Sequence, residues 1–244
     1  MSDKGPDKDD KSQLPASARN ADVDAFLRKV ASMPAARPSN GRGKLIFAMD
    51  ATASREPSWD HACQIQGEMF EATAALGGLD VQLVFYRGFN ECKASKWLSA
   101  APVLHGAMRA VFCMGGETQI ARVLRHALKE ADAQKIGALI FVGDAMEEKL
   151  DELCGLAGQL GLRGVPVFVF HEGHDKAAEG AFKDIARLSH GAYCRFDASS
   201  AGELRALLGA VAAYAAGGQR ALANYSKSAG GSALLLAKQL GAGS

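Results

Sequence analysis

The chain has 244 residues, 48% apolar and 23% charged, which is the composition of a soluble globular protein and the length of one α/β domain with extensions. Lysine and arginine number 28 against 27 aspartate and glutamate, a formal charge of +1 that gives no electrostatic footing for nucleic acid or an anionic membrane as the main partner. The five cysteines (Cys63, Cys92, Cys113, Cys154, Cys194) are scattered without a CxxC pair, so a disulfide frame and a zinc ribbon are both excluded and a reducing, cytoplasmic setting is expected.

Residues 1–20 mix both charge signs with Pro, Ser and Gly, lack the apolar core of a secretory signal, and are expected to form a disordered tail. Residues 21–43 read as a short helix (Asp22 to Met33, burying Phe26, Leu27 and Val30) followed by a Pro-, Arg- and Gly-rich linker from Pro34 to Gly43. From Lys44 the pattern changes: Leu45-Ile46-Phe47-Ala48-Met49 is a continuous apolar run, as a strand buried on both faces requires. A polar loop and a helix from about Ser58 to Leu76 follow, then a strand over Leu79 to Arg87. Gly88-Phe89-Asn90 is too short for a crossover, so Cys92 to Leu98 should return antiparallel at the sheet edge. Pro102 to Phe112 and Gln119 to Ala131 read as helices, the second with Ile120, Val123, Leu124, Ala127 and Leu128 on one face.

The alternation then repeats, with strands at Ile136 to Val142, Val165 to Phe170 and Ala192 to Phe196. The intervening helices are Lys149 to Leu160 and Ala178 to Leu188, and a last one, Ala201 to Ala216, turns Leu204, Leu207, Leu208 and Val211 inward. Strands alternating with helices of this length predict βαβ units over residues 44–216 and a mostly parallel sheet with helices on both faces. Residues 217–244, rich in Gly, Ala and Ser, read as a C-terminal extension with a short docking helix at Ala233 to Leu240. The longest uncharged run, Ala206 to Gln219, falls short of the roughly 20 apolar residues of a membrane helix.

Ligands of an open α/β sheet bind at the carboxyl ends of its strands, where the winding reverses. The first strand ends in Asp50-Ala51-Thr52-Ala53-Ser54, a later one in Gly143-Asp144, and a Gly-rich loop, Gly115-Gly116-Glu117-Thr118, leads into a helix between them. Two carboxylates and three hydroxyls are all hard oxygen donors, a set that suits Mg²⁺, Mn²⁺ or Ca²⁺. The D-x-T-x-S alternation lets every second side chain face the same way.

D-x-T-x-S after a buried strand, a lone Thr after a Gly-rich loop and an Asp ending a later strand together resemble the metal-ion-dependent adhesion site (MIDAS) of von Willebrand factor A (vWA) domains, of the bacterial, stand-alone intracellular type. The resemblance runs from about Lys44 to Ala216 and implies a three-layer α/β/α Rossmann-like fold with a mostly parallel six-stranded sheet and one antiparallel edge strand. It implies that Thr52, Ser54 and Thr118 ligate the ion directly, with Asp50 and Asp144 balancing its charge and orienting the others. It also implies that a Glu or Asp of a partner protein completes the coordination, so that binding depends on the cation. Thr52 stands where the family more often has Ser, and Ala145-Met146 follow Asp144 where Gly is usual.

Other signals are weaker. His171-Glu172-Gly173-His174 lacks the four-residue spacing of a zinc-peptidase helix and reads as a solvated or rim-lining pair, with Arg55, Glu56, Trp59 and Arg87 as further rim residues. Cys113 and Met114 read as core packing. No G-x-S-x-G, G-x-G-x-x-G or G-x-x-x-x-G-K-[ST] occurs, which removes a nucleophile elbow and the common nucleotide loops. The competing reading is a Mg²⁺-dependent phosphoryl-transfer or hydrolytic enzyme using Asp50. Haloacid-dehalogenase-type phosphatases need a second Asp two residues on, and Thr52 stands there, so a binding module is favoured and no enzyme is expected.

Overall fold

Gly43–Asp50 forms the first strand, β1, and six of its eight residues are wholly buried apolar or acidic side chains from Leu45 onward. In this computed structural model residues 23, 25–30, 32, 33, 42–56, 79–196 and 206–217 are described. The expected N-terminal tail, most of the linker, the 58–76 helix with Trp59 and Cys63, and the C-terminal extension lie outside the described residues.

After a single 3-10 turn at Ala53–Arg55 the described elements are β2 (Leu79–Arg87), β3 (Glu91–Leu98), α1 (Ala101–Arg109), α2 (Ile120–Ala133), β4 (Ala138–Gly143), α3 (Leu150–Leu162), β5 (Val167–Glu172), α4 (Lys176–Leu188), β6 (Ala192–Phe196) and α5 (206–217). The sheet order is β3-β2-β1-β4-β5-β6. Every neighbouring pair is parallel except β2 and β3, whose tight connection at Gly88-Phe89-Asn90 forces the antiparallel return. This is a vWA-like α/β fold with its winding reversal between β1 and β4, so the carboxyl ends of those two strands flank the natural crevice.

The period-2 alternation of a strand sorts β1 onto two cores. Leu45, Phe47 and Met49 join α1 (Leu104, Met108), α5 (Leu207, Leu208, Val211) and the N-terminal segment 25–30, whose Phe26 ring lies 5.9 and 5.3 Å from Phe168 and Phe170. Ile46 and Ala48 join the apolar stripes of α2, α3 and α4 on the other face. By the same parity Asp50 continues the Ile46 face, the side on which Tyr86 of β2 also lies.

Two boundaries differ from the sequence reading in ways that shape the site. Helix α1 stops at Arg109, not Phe112, because residues 110–119 leave the helix to reach the β1 turn: Met114 N–H donates to the Ala51 carbonyl (3.0 Å) and Gly88 N–H to the Met114 carbonyl (3.4 Å). Strand β5 runs past Phe170 to Glu172, pairing His171 with Gly143 at the end of β4. That brings two residues read as loop into the sheet beside Asp144.

Candidate metal centre

The Asp50–Ser54 turn is rigid by its own hydrogen bonds. Asp50 is wholly buried, and its Oδ1 accepts from Thr52 N–H (2.7 Å) while its Oδ2 accepts from the Tyr86 hydroxyl (2.8 Å). Tyr86 is the register partner of Asp50 on the neighbouring parallel strand, which is why the phenol reaches it. Burial pushes the Asp50 carboxyl above its ordinary range, the Thr52 and Tyr86 hydrogen bonds pull it back, and the charge of Asp144 adds to the rise. The Tyr86 phenol is pushed well up by burial and by the facing Asp50 charge, so it stays a donor. Two residues on, the Thr52 and Ser54 hydroxyl oxygens stand 3.1 Å apart, with Thr52 buried and Ser54 exposed.

Asp144 follows the last residue of β4. A Cβ placed on Gly143 would lie 3.6 Å from the Asp50 Cβ, so the end of β4 borders the Asp50 turn, and the Asp144 charge acts on the Asp50 carboxyl. Asp144 Oδ1 is buried and accepts no hydrogen bond among the described residues. A buried carboxylate oxygen left so costs free energy that a cation would recover.

Thr118 is buried and locked to the Asp144 loop by a reciprocal pair: Thr118 N–H donates to Glu147 Oε2 (2.9 Å) and Glu147 N–H to Thr118 Oγ1 (3.0 Å). The loop before it presses on the β2–β3 turn so closely that a Cβ on Gly116 would fall 2.1 Å from the Gly88 carbonyl oxygen, and only glycine fits. Glu148 caps the start of α2, accepting from Ile120 N–H (2.5 Å) and Ala121 N–H (2.9 Å). Thus Asp50, Thr52 and Ser54 share one turn, the segment leading to Thr118 is tied to that turn through Met114 and Ala51, and Thr118 is hydrogen-bonded into the loop that follows Asp144.

These residues fit a hard divalent cation. Among the described residues no three His, Cys, Asp or Glu side chains gather at one point, and a cation held by Asp50, Asp144 and the three hydroxyls would have the hard oxygen donors that suit Mg²⁺ or Mn²⁺. An octahedral Mg²⁺ with ligands at about 2.1 Å sets adjacent donors about 3 Å apart, and the Thr52 and Ser54 oxygens already have that spacing.

The expected rim is rearranged. Arg55 is no rim residue: it is 1% exposed, the largest fully buried side chain among the described residues, and forms an ion pair with Glu172. Burial lowers its guanidinium from the ordinary range, and the Asp144 and Asp50 charges hold it up. His171 is not solvated either, because β5 carries it inside. Its Nδ1 meets the Tyr193 hydroxyl at 2.9 Å, its ring stands edge-on to Phe182, and burial keeps its proton affinity below the usual histidine range. His174 is exposed, as expected of a rim residue. Arg87 is half-buried, paired with Glu91 and stacked over the Phe112 ring at 3.9 Å. Cys113 is half-buried with its thiol pushed up to about 11 by burial, and Met114 is exposed, not core. Sequence reasoning missed Tyr86, Glu147, Glu148 and Glu172; of these only Tyr86 carried a signal, its place at the end of the strand beside β1.

Among solved structures the fold matches proximal thread matrix protein 1 from the mussel byssus (TM-score 0.55, 15% identity, covering 72% of this chain and 46% of that one). It matches the SpRpn10 VWA domain (TM-score 0.53, 13% identity, 70% of this chain and 94% of that one). It also matches the pilus adhesin SpaC from Lactobacillus rhamnosus GG (TM-score 0.56, 13% identity, 77% and 31%). Identities this low establish the fold alone, and that fold is the one of vWA domains. The chain spans less than half the length of the byssus and pilus proteins it matches. A further structure of the byssus protein, 18% identical with TM-score 0.54, is described as having a zinc-occupied MIDAS motif. No protein-family profile matches the chain, and no curated protein matches it in sequence.

Proposed function

We propose that this chain is a divalent-cation-dependent protein-binding module in which Asp50, Thr52, Ser54, Thr118 and Asp144 hold Mg²⁺, or Mn²⁺ or Ca²⁺ in its place, and an acidic side chain of a partner protein completes the coordination. The observation that carries the reading is the buried Asp144 Oδ1, which accepts no hydrogen bond among the described residues while the Asp144 charge acts on the Asp50 carboxyl at the neighbouring strand end. The zinc-occupied MIDAS of the byssus protein, which shares the fold, supports it. The cation, with its charge met mainly by two carboxylates and otherwise by neutral hydroxyls, supplies an electrophilic centre for an anionic oxygen.

The chain's own residues prepare that centre. Thr52 N–H and Tyr86 fix the Asp50 carboxylate, and Glu147 fixes Thr118. With both of its oxygens engaged, Asp50 is blunted as a nucleophile, which favours a binding module over an enzyme. Beside the turn, Phe89 (69% exposed), Phe112 (61%) and Met114 (38%) form an apolar rim on the hairpin and the loop leading to Thr118. Exposed apolar groups so clustered suit a partner that presents an apolar residue next to its acidic one.

Calorimetric titration with Mg²⁺ and Mn²⁺ tests the reading. Uptake by the wild type and its loss in Asp50→Ala are the expected result. A folded wild type that takes up neither ion overturns it, and partner capture that survives a chelator overturns the cation dependence.

A further inference from the structure

The buried Arg55 poses a question that the five donors do not answer. A guanidinium withdrawn from water needs a carboxylate partner, and removing that partner leaves an uncompensated buried charge. Arg55 sits on the turn that carries Thr52 and Ser54, yet its ion pair is with Glu172 at the end of β5. Strands lie about 4.8 Å apart, so from β1 past β4 to β5 is a span of about 10 Å. The end of β4 lies between those two strands, and the charges of Asp144 and Asp50 also act on the Arg55 guanidinium.

Four charged side chains thus share the carboxyl ends of three adjacent strands: Asp50, Asp144 and Glu172, against Arg55. Taken by themselves, these four carry a formal balance of two negative charges, one without Glu172 and three without Arg55.

Resting on the metal-binding reading above, we propose that Arg55, anchored by Glu172, is a fixed counter-cation that tunes the net charge of the donor cluster to a divalent ion and so sets its affinity. Arg55 touches no ion itself; it positions and offsets the carboxylates that do. The ion pair also ties the metal turn on β1 to the end of β5.

Magnesium affinity measured calorimetrically on three proteins tests this, with thermal unfolding followed by circular dichroism as the check on folding. Glu172→Gln leaves Arg55 in excess and should weaken Mg²⁺ binding by about ten-fold or more, the effect of one added positive charge near a partly buried dication. The double variant Arg55→Gln with Glu172→Gln restores the wild-type charge and should bind within about three-fold of wild type. A folded Glu172→Gln protein with affinity unchanged within about two-fold overturns the proposal while leaving the metal site standing. If Glu172→Gln fails to fold, the double variant decides alone: folded but weaker by more than about ten-fold, it overturns the charge-tuning role. A wild type that binds no Mg²⁺ removes the metal reading itself and this proposal with it.

Discussion

At the amino ends of the parallel strands the chain closes by backbone contact. A Cβ on Gly191 would sit 1.9 Å from the Val167 carbonyl oxygen, and one on Gly43 would sit 2.4 Å from the carbonyl oxygen of Ala215 in α5. At the carboxyl ends, by contrast, the chain accepts buried charge: among the described residues the wholly buried Asp, Arg and His side chains, Asp50, Arg55 and His171, all lie there. One end is held by close backbone approach, its Arg42–Asp80 ion pair partly open to solvent, the other by buried hydrogen-bonded and ion-paired groups with a carboxylate oxygen that accepts no hydrogen bond among the described residues. Stability and the proposed binding would therefore be carried by opposite ends of the same strands, far enough apart that substitutions at the two should act independently.

The sharpest way to break this division is Gly191→Ala. Its methyl must displace backbone, not a flexible side chain, and the variant should lose about 2–3 kcal/mol in denaturant unfolding while the folded fraction keeps its Mg²⁺ affinity. Glu148→Ala sharpens the picture within the carboxyl end itself. It removes both acceptors from the start of α2 and should cost about 1–2 kcal/mol, since that carboxylate serves as a helix cap and not as a metal donor. Asp144→Asn should have the smallest effect on folding, within about 1 kcal/mol of wild type, because relief of its buried, hydrogen-bond-free oxygen offsets the loss of a charge that favours the Arg55 guanidinium, yet it should abolish Mg²⁺ uptake. Were Asp144→Asn as destabilising as Gly191→Ala, the carboxyl end would be a structural element like the other, and the contrast would fail.

The strands were legible because burial on both faces leaves an unbroken apolar run, as in Leu45 to Met49, and the strand-end motif was legible because it follows such a run directly. The short Gly88 to Asn90 connection announced the antiparallel edge. What escaped were features decided by partners distant along the chain. Nothing local marks Arg55 as buried, since a lone arginine defaults to solvent, and its partner Glu172 reads as loop because two polar residues end an apolar run. The end of β5 was set by His171 packing on Phe182 and by that ion pair, not by hydropathy. Likewise α1 was read too long because the pull of Ala51 and Gly88 on Met114 is a tertiary hydrogen-bond demand with no periodic signature.

Among the described strands β3 ends the sheet, and a sheet edge is an invitation to intermolecular stacking. Here the edge carries Lys93 and Lys96, both exposed, and the β2–β3 register slips between Gln82 and Val84, a distortion that increases local twist. Two copies meeting edge to edge would bring ammonium groups together on a surface too warped to lie flat. Along this edge the domain is thereby guarded against fibrillar stacking, so that contact with another chain is steered away from β3 and towards the proposed metal-binding end.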